Sequence, residues 1–151
     1  MPARTWYLVA DAARARVLEP TPGSGTQVLH DLEHPASRLK GSDLMADDRG
    51  RSRPRNRSAA RGGAMDYRTP PREVEAQRFA REVAELLRLA RTRNEYDELI
   101  LVAAPAFLGE LRGVFDDTVS RSVRAAIAKD YTQQRPDDVV RLVDAGLEEE
   151  G

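Results

Sequence analysis

The chain has 151 residues, of which 40% are hydrophobic and 32% are charged, so it can form one domain around one core. It contains no cysteine and no run of 18 apolar residues, which predicts neither disulfides nor thiol chemistry nor a membrane-spanning helix. The first residues lead directly into a strand-like segment without the features of a secretory signal, so a cytoplasmic location is expected.

Three strands are predicted before residue 35. Residues 6–10 are apolar and aromatic-rich, as in a buried strand, and residues 14–19 read as the returning strand. Asp11, Ala12 and Ala13 form a plausible turn between them. A third strand with one solvated face is predicted, because three residues alternate with polar or charged neighbours and would share the other face: Val28, His30 and Leu32.

A long loop and a helix follow. Residues 35–69 offer almost nothing to bury, which is uncommon in a compact domain and predicts a functional or disordered loop. Pro70 and Pro71 then favour a helix start, and the helix is expected to end near Arg93. Its apolar positions recur at a spacing of three and four: Val74, Phe79, Val83, Leu86, Leu87 and Ala90. Two ion pairs are predicted on its outer face: Arg78 with Glu82, and Arg81 with Glu85.

The last third of the chain alternates strands and helices. Residues 99–104 are apolar on both faces, as in a central parallel strand, and Pro105 opens a second helix. Residues 123–131 are predicted as another strand. Pro136 starts a last helix with Asp137 and Asp138 at its positive end. This order of elements predicts a single α/β domain with a mixed β-sheet, an N-terminal strand meander and flanking helices.

The charge of the chain is strongly divided. Between Arg38 and Arg72 there are ten Lys and Arg residues against four Asp and Glu residues, a local charge of +6. Since the net charge is −1, the remaining residues carry −7. A basic segment on an acidic body indicates a local contact with a polyanion.

Alternating arginines fill the middle of this segment, which is densest between Asp48 and Gly63. An extended backbone would direct their guanidinium groups to both sides, where they can bind phosphates bidentately. The candidate nucleic-acid-binding residues are Arg49, Arg51, Arg53, Arg55, Arg57, Arg61, Gly62 and Gly63. The segment has no aromatic residue before Tyr67 to stack on a base, so sequence-specific readout is not expected. The alternative is a solvated linker kept soluble by its arginines, with Asp47 and Asp48 balancing charge locally.

Other candidate residues have plainer explanations. Asp11 ends the first strand, where a metal-dependent nuclease could hold a carboxylate, but a turn-forming role is favoured. Only Asp130, Asp116 and Asp117 could join it as ligands, from far along the chain. His30 and His34 would share a strand face, although two histidines make a weak metal site and surface positions are favoured. We therefore predict no catalytic residue, no metal and no cofactor.

Several stretches together resemble the bacterial host attachment protein family, also called proteins required for attachment to host cells. They are residues 6–17, 62–65, 78–82, 101–105, 107–111 and 129–132. The resemblance runs nearly end to end and in order. It implies no defined biochemical activity, and an indirect role in bacterial attachment to host cells is one expectation.

That family in turn is similar to the middle domain of archaeal and eukaryotic peptide-chain release factors, which has an RNase H-like fold. There a mobile loop ending in Gly-Gly-Gln precedes a helix containing Arg-Phe-Ala-Arg. Here Gly62 and Gly63 precede a helix with the same four residues at 78–81, and Ala64 stands in the place of the glutamine. Since alanine cannot present an amide to an ester, the resemblance implies a non-catalytic domain that binds ribosomal or transfer RNA during stalling or stress. The sequence leaves the oligomeric state undetermined.

Overall fold

The computed structural model describes residues 3–34 and 71–150. The first part contains three strands: β1 (Thr5–Ala10), β2 (Arg14–Thr21) and β3 (Gly25–Glu33). The second part contains four helices and two strands: α1 (Pro71–Thr92), β4 (Glu98–Ala103), α2 (Pro105–Val114), α3 (Asp117–Ser122), β5 (Val123–Ile127) and α4 (Pro136–Glu150).

The five strands form one mixed sheet in the order β3-β2-β1-β4-β5. The pairs β1/β2 and β2/β3 are antiparallel, whereas β4 lies parallel to both β1 and β5. The N-terminal meander therefore forms one half of the sheet and the parallel strands the other. This arrangement confirms the predicted single α/β domain with a mixed sheet, an N-terminal meander and flanking helices.

One face of the sheet is covered by α1, α2 and α3. Trp6 and Leu8 of β1 and Leu99 and Leu101 of β4 point to this face, because every second strand residue does so. Rings dominate the packing: Trp6 stacks on Tyr96 with centroids 4.7 Å apart, and the hydroxyl of Tyr96 donates to the Leu87 carbonyl oxygen at 2.9 Å. The predicted long helix is confirmed as α1, and the predicted strand at 99–104 is confirmed as β4.

The opposite face of the sheet is covered by α4. Its buried residues are Tyr7, Val9, Leu18, Ile100, Val102, Val139 and Val143. The hydroxyl of Tyr7 donates to Asp144 Oδ1 at 2.7 Å, and the backbone amide of Thr26 donates to Asp137 Oδ1 at 2.8 Å. The predicted start of the last helix at Pro136 is confirmed, although Asp137 binds β3 as well as lying at the helix N-terminus.

The third strand differs from its prediction at one residue. Val28 pairs with Leu18 and His30 pairs with Val17, so Leu29 is an extra residue without a partner on β2. Because the extra residue reverses the alternation, Val28 lies on the α4 face and is 43% exposed, whereas His30 lies against Trp6 on the other face. The prediction that Val28 and His30 share a face is wrong.

The region before and within the last strand also differs. The predicted strand at 123–131 ends at Ile127, and the short helix α3 precedes it. Asp116 Oδ1 accepts from the Val119 amide and so caps this helix. Beyond β5, the carboxylate of Asp130 accepts from the Thr132 amide at 3.0 Å, which forms a turn where a strand was predicted.

The ion pairs found on α1 differ from those predicted. Arg78 pairs with Glu75 at 2.8 Å and Arg88 pairs with Glu85 at 2.6 Å, both at a spacing of three residues. Side chains three residues apart on a helix are also neighbours, so Arg78 can pair with Glu75 instead of Glu82, and Glu85 can pair with Arg88 instead of Arg81.

Among residues 3–34 and 71–150, none of the helices combines the length and the apolar composition that crossing a membrane requires.

Candidate functional site at the carboxyl edge of the parallel strands

Asp11 follows β1 and closes the turn into β2. Its Oδ1 accepts from the backbone amides of Ala13 at 2.8 Å and Arg14 at 2.9 Å, and its own amide donates to the Arg14 carbonyl oxygen. A carboxylate that accepts amides two and three residues ahead stabilises a tight turn. The prediction of a turn-forming Asp11 is thereby confirmed.

The turn after β5 brings a hydroxyl to Asp11. Thr132 is buried, with 7% of its surface exposed, and its Oγ1 lies 2.5 Å from Asp130 Oδ1 and 3.3 Å from Asp11 Oδ2. A threonine hydroxyl has one proton, and the shorter distance assigns it to Asp130. The structure therefore brings Asp11 and Asp130 together around Thr132, because the carboxyl ends of the parallel strands meet at one edge of the sheet.

Two arginines of β2 complete this edge. Arg14 Nε lies 3.9 Å from Asp11 Oδ2, close enough for charge attraction but too far for a hydrogen bond. This Nε is enclosed and has no hydrogen-bond acceptor within the described residues. Arg16 Nη2 donates to the carbonyl oxygens of Thr132 at 3.1 Å and Gln134 at 2.9 Å, so it fixes the connection between β5 and α4.

The remaining predicted acids lie elsewhere. Asp116 and Asp117 are at the start of α3, where the side chain of Asp116 is engaged as a cap. In the described ranges, no three His, Asp or Glu side chains are grouped so that they could hold a metal ion. The chemistry that this edge offers is therefore hydrogen bonding and charge, with two carboxylates, one hydroxyl and two guanidinium groups.

The histidines are less exposed than predicted. The ring of His30 lies 5.8 Å from that of Trp6, and the ring of His34 stacks on Phe79 at 5.3 Å. His34 Nε2 is 2.8 Å from Glu75 Oε1. Both histidines are partly buried, so the prediction of surface positions is wrong in this respect.

The described residues that flank residues 35–70 include His34, which lies at this same edge. The amide of His34 donates to the Ala13 carbonyl oxygen at 2.8 Å, beside the Asp11 turn, and the ring of His34 contacts Glu75 in the second turn of α1. Phe79 and Ala80 of the Arg-Phe-Ala-Arg stretch are fully buried, and Arg81 is exposed. The predicted nucleic-acid-binding residues Arg49, Arg51, Arg53, Arg55, Arg57, Arg61, Gly62 and Gly63 lie outside the described residues, as do Asp47 and Asp48.

Sequence reasoning missed Thr132, Arg14 and Arg16 as parts of one site. The spacing of Asp130 and Thr132 directly after a strand was a usable signal, since an aspartate commonly accepts from a residue two positions ahead. The contact to Asp11, 121 residues away, depends on the parallel pairing of β1 with β4 and of β4 with β5.

Comparisons with known proteins identify relatives of this chain. A relative from Rickettsia prowazekii (strain Madrid E), the uncharacterised protein RP470, is 33% identical over 84 residues. The alignment includes 54% of this chain and 56% of the relative, so the chain matches about half the length of that protein. Residues 6–143, from β1 into α4, match the family described as "Protein required for attachment to host cells". The chain belongs to this family of host attachment proteins.

Proposed function

We propose that this chain contributes indirectly to the attachment of a bacterial cell to a host cell. The observation that carries the proposal is the family match over residues 6–143, which includes every described element from β1 to the middle of α4. The role is indirect because we expect a cytoplasmic location for the chain. A binding protein that acts inside the cell would alter attachment through its partner.

A deletion strain tests this role. We expect fewer host-adherent bacteria than with the parent strain at equal growth rate, and restoration by a plasmid carrying the intact gene. The Phe79→Ala variant, which removes a fully buried ring, is the matched control and should restore less. Unchanged adherence of the deletion strain would refute the proposal.

A second candidate function is binding of ribosomal or transfer RNA, with the chain acting during ribosome stalling or stress. The specific observation in its favour is the separation of charge, +6 between Arg38 and Arg72 against −7 in the rest of the chain. An acidic body repels phosphates at long range, so RNA would be attracted to the arginine-rich segment alone. The Gly62-Gly63 pair and the release-factor resemblance support the same partner, and Ala64 favours binding without hydrolysis.

The described residues add a geometric argument for RNA binding. His34 precedes residues 35–70 and Glu75 follows them, and His34 Nε2 lies 2.8 Å from Glu75 Oε1. The described residue that precedes this stretch, His34, lies at the edge that carries Asp11, since its amide donates to the Ala13 carbonyl oxygen. A connecting segment whose flanking residues are held close together has less conformational freedom to lose on binding than a free tail.

Ribosome co-sedimentation across a salt series tests the second candidate. Replacing the six arginines at 49, 51, 53, 55, 57 and 61 by serine should abolish binding, because it removes the cationic groups that would contact phosphates. Each lost phosphate contact should also reduce the slope of log K against log salt concentration by roughly 0.7 to 0.9. The matched control replaces six exposed arginines of the folded body by serine: Arg81, Arg93, Arg112, Arg121, Arg135 and Arg141. If both variants bind like the wild type, the segment is not an RNA contact.

A strain that carries only the six-serine variant tests whether the two candidate functions are linked. Bacteria carrying only the six-serine variant should attach like the deletion strain if polyanion binding underlies attachment. If they attach like the parent strain, the two functions are separate.

A further inference from the structure

We propose that two copies of this chain associate through a groove between α1 and the α2–α3 connection, with Arg81 of each copy beside Asp116 of the other. We call this surface the α1–α3 groove. It is lined by six residues: Arg81, Ala84, Glu85, Arg88, Val114 and Asp116. The association depends on neither of the proposed functions.

Arg81 forms the cationic end of the α1–α3 groove and is exposed. The carboxylate of Glu85, one helical turn further on, is engaged by Arg88, whose Nε and Nη2 donate to its two oxygens at 3.0 and 2.6 Å. Among the described residues, no carboxylate forms an ion pair with Arg81. Its guanidinium group, with five N–H donors, is therefore available to a carboxylate from outside the chain.

Asp116 forms the anionic end of the α1–α3 groove. Its Oδ1 accepts from the Val119 amide at 2.9 Å, whereas its Oδ2 accepts no hydrogen bond from the part of the chain that the structure describes. The hydrogen bonds and charge of Glu85 raise the pKa of Arg88 above its ordinary value, and the charge of Asp116 adds to this effect. Since Glu85 and Arg88 neutralise each other, the groove carries one negative charge at Asp116 and one positive charge at Arg81.

A surface with one cation and one anion is complementary to a second copy of itself. A two-fold axis through the groove brings each Arg81 to the Asp116 of the partner copy, so that both contacts form at once. The spacing of the charges matches without adjustment, because the distance from Arg81 to Asp116 is the same in both copies. The two apolar lining residues, Ala84 and Val114, would lose contact with water at the same time.

The charge of the lining favours a second copy over a nucleic acid. The four ionised residues sum to zero: Arg81, Arg88, Glu85 and Asp116. A phosphate backbone would be attracted by the arginines and repelled by the carboxylates, whereas a second copy gains an attraction at each end. Contacts between exposed charges are individually weak and are screened by salt, so we expect a reversible, salt-sensitive dimer.

Sedimentation equilibrium of the full chain tests the association. We expect the average mass to rise from 16.8 kDa towards twice that value between about 10 µM and 1 mM protein, as for a small polar interface. Raising the NaCl concentration from about 0.05 M to about 0.5 M should weaken the association. A mass that stays at 16.8 kDa over the whole concentration range would overturn the proposal.

Two opposite charge changes test the assigned contact. Arg81→Glu places like charges at both contacts of the symmetric dimer, and Asp116→Lys does so with the opposite sign. Each variant alone should therefore associate at least about tenfold more weakly than the wild type. Mixed in equal amounts, the variants should form a heterodimer, because the new carboxylate meets the new ammonium and the unchanged Arg81 meets the unchanged Asp116. A mixture that associates no better than its components contradicts the contact.

A further variant keeps the test decisive if Asp116→Lys does not fold, since Asp116 also caps α3. Asp116→Asn keeps an oxygen for the Val119 amide and removes only the charge, so it should weaken association less than Arg81→Glu. Arg93→Glu is the matched control, because Arg93 is exposed just after α1 and is not part of the groove lining. If Arg81→Glu and Asp116→Asn associate as strongly as Arg93→Glu, the groove is not the interface.

Discussion

The two faces of the sheet are held in different ways. Among the described residues, the face beneath α1, α2 and α3 buries 18 apolar residues in one cluster, whereas the face beneath α4 buries seven. The larger cluster depends on apolar area and stacked rings. The smaller one is supplemented by polar contacts from α4 to the sheet, Asp137 to Thr26 and Asp144 to Tyr7. A single helix can cover a sheet face with few apolar residues if side-chain hydrogen bonds fix its position.

Removing a ring from the larger cluster should give the largest effect. Phe79 is fully buried and its ring lies 5.7 Å from that of Phe107 and 5.3 Å from that of His34. Phe79→Ala should lower the free energy of unfolding by about 3 to 5 kcal/mol, which urea denaturation measures. Leu89→Ala on the exposed side of α1 is the control and should cost less than about 1 kcal/mol. Similar losses for both variants would contradict this view of the core.

A smaller truncation on the α4 face should cost less. Val143→Ala removes two carbon atoms from a buried position, so we expect a loss of about 2 kcal/mol. Hydrogen exchange should then show the amides of α4 opening before those of α1, since fewer apolar contacts hold α4. Earlier opening of α1 would reverse the comparison between the faces.

The hydrogen bond from Tyr7 should contribute a smaller amount that depends on pH. Tyr7→Phe leaves the ring in place, removes the contact with Asp144 and should cost about 1 kcal/mol at pH 7. Burial, together with the hydrogen bond to Asp144, raises the pKa of Tyr7 well above its usual range. The unfolded chain therefore loses this proton first above pH ~10, and wild-type stability falls there more steeply than that of the variant. Parallel alkaline unfolding curves would contradict the assignment.

The smallest effect is expected at the start of α4. The side-chain and backbone hydrogen bonds from Thr26 lower the pKa of Asp137 below its usual value. A lowered pKa means that the stabilisation is present above about pH 4 and is lost as the pH falls further. Asp137→Asn should lower Tm slightly at pH 7 and not at pH 2.5, as measured by circular dichroism. Thr118→Ala, at an exposed position of α3, is a control that should show no such pH dependence.

Most of the fold could be predicted where one local signal was strong. The 22 residues of α1 repeat their apolar positions over six turns, and β4 is apolar on both faces because helices cover both faces of the sheet. The helix α3 has six residues, too few for a period to show, and its cap Asp116 resembles any turn aspartate in the sequence. The face of Val28 could not be predicted, because a register shift at Leu29 leaves no mark in an alternating pattern.

The site could be predicted in part. The turn at Asp11 is a local feature and followed from the sequence alone, since an aspartate can bind the amides just after it. The position of Thr132 between Asp11 and Asp130 depends on tertiary pairing, and so does the contact of His34 with Glu75. The arginine-rich segment stays a prediction for binding, because its composition sets its charge but not its partner.

The register shifts at the outer strands have a consequence for how copies of this domain meet in solution. Leu29 is unpaired within β3, and Arg124 is the corresponding extra residue within β5, the strand at the other margin of the sheet. A bulge twists a strand and interrupts the row of amides and carbonyls that an approaching strand would need. Within the described residues, each margin therefore offers only a short straight stretch to another chain, which opposes growth of the sheet from molecule to molecule and the aggregation that such growth causes.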